Sequence, residues 1–143
     1  MTGDRTAFDL REHTADVAVE ATGPTVDAAF AAVADGLAAA MCEDVPETGG
    51  DRFPLTVRSE GPEAALFDYL DELIYERDVR GVLPVDNEAA VRRDGDEWVV
   101  EASARGVPFA DVAGARDVKA VTYSEMELTE TAEGWHAYVV FDV

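Results

Sequence analysis

Residues 118–143 read VKAVTYSEMELTETAEGWHAYVVFDV, two alternating apolar runs, Val118–Leu128 and Trp135–Val143, on either side of Thr129–Gly134. Alternation with period two is the mark of a half-buried strand, and a polar, glycine-ended break between two such runs predicts a terminal hairpin. In the second run Trp135, Ala137, Val139, Phe141 and Val143 share one face, whereas His136, Tyr138, Val140 and Asp142 share the other. Asp142 is therefore an acid at the end of an otherwise well-patterned strand. On its own it is equally explained by a frayed chain end. Phe141 and Val143 argue instead for a strand docked to its last residue, which would set the α-carboxylate of Val143 beside the Asp142 side chain.

Working outward, Arg93-Asp94-Gly95-Asp96 is a hairpin turn between Ala89–Arg93 and Glu97–Ala104, and Phe53, Leu55 and Val57 mark a further strand. Val26, Phe30, Val33, Leu37 and Met41 recur every three or four residues behind Thr25, predicting a capped helix to about Cys42. A second helix is expected from Pro62 to just before Gly81, with Leu66, Phe67, Leu70, Leu73 and Ile74 inward. Near the start, Phe8 and Leu10 occupy even positions and Val17, Val19 and Ala21 odd ones, so the chain must turn at His13-Thr14-Ala15-Asp16. Strands in runs, with two separate helices, predict an α+β fold: a mostly antiparallel sheet with two main helices packed on it, in one domain over residues 1–143.

Composition excludes several functions. One cysteine and two histidines cannot assemble the Cys/His set of a zinc finger or a zinc deaminase, and an intrachain disulfide is impossible. Phosphate-binding glycine loops, a serine nucleophile elbow and a paired-histidine metalloprotease motif are all missing. Thirty-one acidic residues against 11 basic ones give a net charge of −20, which opposes direct docking on a nucleic-acid backbone. The same balance suits a salt-loving cytoplasm, where charge serves solubility and screening shortens to ~3 Å. The opening MTGDRTAFDL has no basic start or apolar run, and no stretch approaches the roughly 20 apolar residues that span a bilayer, so a cytoplasmic protein without a membrane partner is expected.

The residues left for chemistry are few. Asp16 at the bend and Asp142 with the Val143 carboxylate could form an oxygen set for a hard dication, although an Asp at a bend also commonly bonds its own backbone. Carboxylate ligands of this kind serve calcium, magnesium and manganese alike. Ten of the 11 cations are arginine; Lys119, in a strand, is the only lysine. It reads either as a gatekeeper on a sheet edge or as a compact point charge near the carboxylates. His13 reads as a structural residue or a contact to a partner.

Together Glu12-His13-Thr14-Ala15-Asp16, the helix Leu66–Leu73, the strand Val118–Tyr123 and the ending Phe141-Asp142-Val143 resemble the archease family in order and spacing, over essentially the whole chain. The acidic composition looks like a version from a halophilic archaeon. The resemblance implies a protein cofactor rather than an enzyme: a metal-binding activator of an RtcB-type RNA ligase, promoting ligase guanylylation and multiple turnover in tRNA exon joining, with tRNA met only through the ligase. It also implies that Asp16, Asp142 and Val143 hold the metal and that Lys119 is the required lysine. Ser124 stands where the family pattern often has histidine, so no role carries over there. A general chaperone or adaptor for RNA-modifying proteins, and a free-standing metal hydrolase, are the competing classes.

Overall fold

The computed structural model describes residues 7–13 and 16–143, with residues 11–13 as backbone only. Helix α1, Val26–Ala40, begins where Thr25 Oγ1 accepts from Ala28 N at 3.1 Å. Its inward stripe of Phe30, Val33 and Leu37 is fully buried, as the spacing predicted. The helix stops two residues before Cys42, because Met41 turns out of it and its carbonyl accepts from Arg116 N at 2.7 Å instead of from the next helical turn. Helix α2, Pro62–Arg80, has both expected limits: Pro62 needs no N–H in the first turn, and Gly81 closes the helix at φ 66°, a left-handed conformation natural to glycine. Phe67 departs from its expected place in the core; it is half-buried, with its ring 5.1 Å from that of Tyr123.

Seven strands follow the chain as β1 Ala7–His13, β2 Asp16–Gly23, β3 Asp51–Ser59, β4 Val82–Asp94, β5 Glu97–Pro108, β6 Ala120–Thr131 and β7 Gly134–Asp142. They form two sheets rather than one, ordered β1-β2-β7-β6 and β3-β5-β4, and every pair is antiparallel. Alternation tells which face of a strand is buried but not which strand lies beside it, so the division was not visible in the pattern. One cluster of buried side chains joins both sheets to both helices, including Val19, Val139 and Phe141 from the first sheet and Leu83, Val85 and Val100 from the second. Between the helices Phe30 stacks on Tyr69 with ring centroids 6.1 Å apart. Among the described residues no helix is long and apolar enough to cross a membrane.

Two irregularities explain where the strands differ from expectation. Strand β4 starts at Val82, not near Ala89, and its register shifts between Val85 and Glu88. There Asp86 takes φ 52°, a left-handed conformation uncommon outside glycine, and Asn87 turns inward. The bulge is held from α1: Asp35 Oδ1 accepts from Asn87 N at 3.0 Å and from Asn87 Nδ2 at 2.9 Å. In β6 the register shifts between Thr122 and Glu127, and the β6–β7 turn closes at Thr131↔Gly134, inside the break expected at Thr129–Gly134.

Asp35 gives a test of the bulge. Burial is the main influence on its carboxyl and pushes it above the ordinary value, against the two Asn87 hydrogen bonds that pull it down. A carboxyl raised in the folded state contributes its full stability below the unfolded value and loses it as pH rises through the folded one. Asp35→Ala is expected to destabilise by about 1–3 kcal/mol, since it leaves the Asn87 donors unpaired. It is also expected to flatten the fall in stability with rising pH across the acid range, measured by urea unfolding at fixed salt.

Candidate functional site

The pairing of β2 with β7 builds the site. The buried pair Val19↔Val139 and the half-buried Val17 against buried Phe141 set the register, and continuing it by one pair brings Asp16 opposite Asp142. Directly paired residues of an antiparallel ladder have Cβ atoms about 4.5–5.5 Å apart, so the two carboxylates are neighbours on one face. By alternation that face is the one opposite Val17, Val19, Val139 and Phe141. Asp16 is half-buried and Asp142 exposed.

Strand β6 completes the sheet end. Ala120 pairs with Asp142 from the other side, and the residue before it, Lys119, donates its backbone N–H to Asp142 O at 2.8 Å. Lys119 precedes β6 instead of lying within it, and its side chain is exposed. Val143 lies one residue beyond β7 and is 37% exposed, so the docked strand ends at Asp142. Asp16, Lys119 and the adjacent Asp142 and Val143 thus lie at one end of one sheet. The backbone of His13 pairs with Asp16, while its side chain, together with Thr14 and Ala15, lies outside the described residues.

Charge at this end is not balanced in the way it is elsewhere. Among the described side chains every arginine has a carboxylate, a carbonyl or an aromatic ring: Arg52, Arg58, Arg77, Arg80, Arg92 and Arg105 form ion pairs, Arg93 lies over Trp98, and Arg116 donates to Cys42 O. Among the same residues the ammonium of Lys119 and the carboxylates of Asp16 and Asp142 have no such partner. Glu72 and Glu76, one turn apart on α2, form a contrasting acidic pair. Burial, then the hydrogen bond to Glu76, pushes Glu72 up to about 7, and Arg80 Nε donates to Glu76 Oε1 at 2.6 Å. That pair is held by its own hydrogen bond and by the Arg80 guanidinium, whereas Asp16 and Asp142 have no guanidinium beside them.

The donor chemistry at the sheet end therefore fits a hard cation, since like charges directly opposite in a ladder repel and carboxylate oxygens suit Ca, Mg or Mn. Two side chains alone are a sparse set: among the described residues no three His, Cys, Asp or Glu side chains converge as a metal site. The third oxygen group expected from the sequence, the α-carboxylate of Val143, is a main-chain group. Sequence reasoning missed Arg77, which holds the peptide next to Lys119. Its signal was an arginine four residues after Leu73, on the apolar stripe of α2.

Residues 8–143 match the Archease protein family (MTH1598/TM1083). A protein archease of Methanosarcina barkeri is 29% identical over 149 residues, with the whole of both chains covered. That of Methanosarcina mazei is 30% identical over 139 residues, covering 95% of each. The solution structure of Methanobacterium thermoautotrophicum protein 1598 superposes with a TM-score of 0.79 at 24% identity, covering 95% of this chain and 98% of the other. The crystal structure of an archease from Thermotoga maritima, described as a possible chaperone, gives 0.61 at 24% identity over 93% and 94%. These two share the α+β fold of paired helices on antiparallel sheets. With the family matched over nearly its full length, the chain belongs to the archease family.

Proposed function

We propose that this chain is a non-catalytic protein cofactor that activates an RtcB-type RNA ligase, promoting guanylylation of the ligase and its repeated turnover in tRNA exon joining. The observation that carries this reading is the direct pairing of Asp16 with Asp142 at the sheet end where the backbone of Lys119, the only lysine of the chain, bonds Asp142. Among the described side chains no other cation is left without a partner, which suits a group reserved for a partner's phosphate or carboxylate. Membership of the archease family supports an accessory role over independent catalysis.

Asp16, Asp142 and the α-carboxylate of Val143 would hold a divalent ion, with calcium the preferred candidate. Such an ion supplies positive charge to phosphate oxygens, and charge on a transferred phosphoryl group is stabilised chiefly by metals and fixed cations. Lys119 adds a compact ammonium beside them, and a short point charge reaches a crowded nucleotide site more readily than a planar guanidinium. With a net charge of −20 the chain itself has little means of gripping RNA, so tRNA is met through the ligase.

Asp16→Ala, Lys119→Ala and Asp142→Ala are each expected to lower stimulation of ligase guanylylation and of repeated turnover by about 10²-fold, the usual loss when one electrostatic stabiliser is removed. Three folded variants that stimulate as well as the native chain would sink the proposal.

Stability offers a second check, independent of the ligase. In chelator Asp142→Asn is expected to melt higher than the native chain, because it relieves the opposed charges. Calcium at about 100 times its Kd should then stabilise the native chain by about 2.7 kcal/mol and the variant much less. Equal calcium shifts in both would rule out this site.

A further inference from the structure

Among the described residues Arg77 is the only charged side chain that is buried, at 6% exposed. It continues the core stripe of Leu66, Leu70, Leu73 and Ile74 on α2, a position that an apolar side chain of similar volume would fill without surrendering hydration. What the guanidinium adds there is directed donors. Nη1 donates to Val118 O at 2.7 Å and lies 3.2 Å from Met41 Sδ. Nε donates to Asp78 Oδ1 at 2.9 Å, and Nη2 lies 3.7 Å from Asp117 Oδ1.

The carbonyl of Val118 and the N–H of Lys119 are two ends of one peptide unit, which is planar. Arg77 binds the carbonyl end from α2, and Asp142 O, in β7, accepts from the N–H end at 2.8 Å. Held at both ends, the plane fixes the Cα of Lys119 relative to Asp142. Just upstream, Arg116 donates from its backbone to Met41 O at 2.7 Å and from Nη2 to Cys42 O at 2.8 Å. Residues 116–119 belong to no helix or strand, yet three hydrogen bonds and the Arg77–Asp117 ion pair tie them to the ends of α1 and α2.

We propose that Arg77 is the positioning residue for Lys119: by clamping the Val118–Lys119 peptide it sets where Lys119 is presented at the sheet end that carries Asp16 and Asp142. This rests on the reading that Lys119 acts on a partner. An arginine is required because one planar fork must serve the Val118 carbonyl and the Asp78 carboxylate at once.

Because Lys119 is the only lysine, protein grown on isotope-labelled lysine gives one backbone amide signal from the site itself. In Arg77→Met the hydrogen exchange of that amide is expected to quicken by about tenfold or more, the loss of one hydrogen bond to a charged group, while amides in β7 and α2 keep their native rates. Arg77→Lys, whose ammonium serves one acceptor but not both, should fall between, and it carries the test if Arg77→Met does not fold. An unchanged Lys119 amide, or equal acceleration throughout the molecule, overturns the clamp.

Ligase stimulation supplies the functional arm. Arg77→Met should lower maximal stimulation with the half-saturating concentration unchanged, and combining it with Lys119→Ala should do no further harm. Additive losses overturn the proposal. A native chain that stimulates no ligase defeats the function proposed above, while the exchange measurement still decides the clamp.

Discussion

The antiparallel register of β2 on β7 is the constraint on which the rest of the molecule depends. It joins strands from opposite ends of the sequence, and Val19 and Val139, both fully buried, set it. A slip of one residue in β2 would turn Val17 and Val19 away from the core side that Val139 and Phe141 keep, so the hydrophobic effect enforces the pairing. The same register sets Asp16 against Asp142. The stability of the core is thus what holds two like charges together at the sheet end.

The remaining elements act on that frame. Helix α1 crosses β2 closely enough that a Cβ on Gly36 would meet Val19 Cγ1 at 2.5 Å, so helix and sheet approach as only glycine allows. Helix α2 packs Leu66, Leu70 and Leu73 inward and lends Arg77 to the segment entering β6. The second sheet carries its arginines in bonded networks: Arg52 reaches Asp86 and Ser103, and Arg58 reaches Asp94 and Glu97. Among the described side chains the guanidiniums serve as internal ties, which leaves the ammonium of Lys119 as a cation suited to another molecule.

Much of this was legible in the sequence because it depends on local chemistry. Thr25 capped α1, Pro62 and Gly81 bounded α2, and the parity change between Leu10 and Val17 marked the reversal at His13 and Asp16. Asp142 stood out as an acid at the end of a patterned strand. What was not legible depends on contacts distant in sequence. The split into two sheets, the Asp86–Asn87 bulge held by Asp35, and the exit of Lys119 from β6 all follow from partners more than 20 residues away in sequence. In the sequence alone a turn suffices to explain Asp16 and a frayed end to explain Asp142; their direct pairing removes the frayed end.

The most direct measurement is a crystal structure of the chain grown with manganese, located by its anomalous scattering. The account requires a peak between the carboxylates of Asp16 and Asp142, with the Val143 carboxylate as a further ligand. Manganese bound instead at Glu72 and Glu76, or no ordered ion at the sheet end, would contradict it.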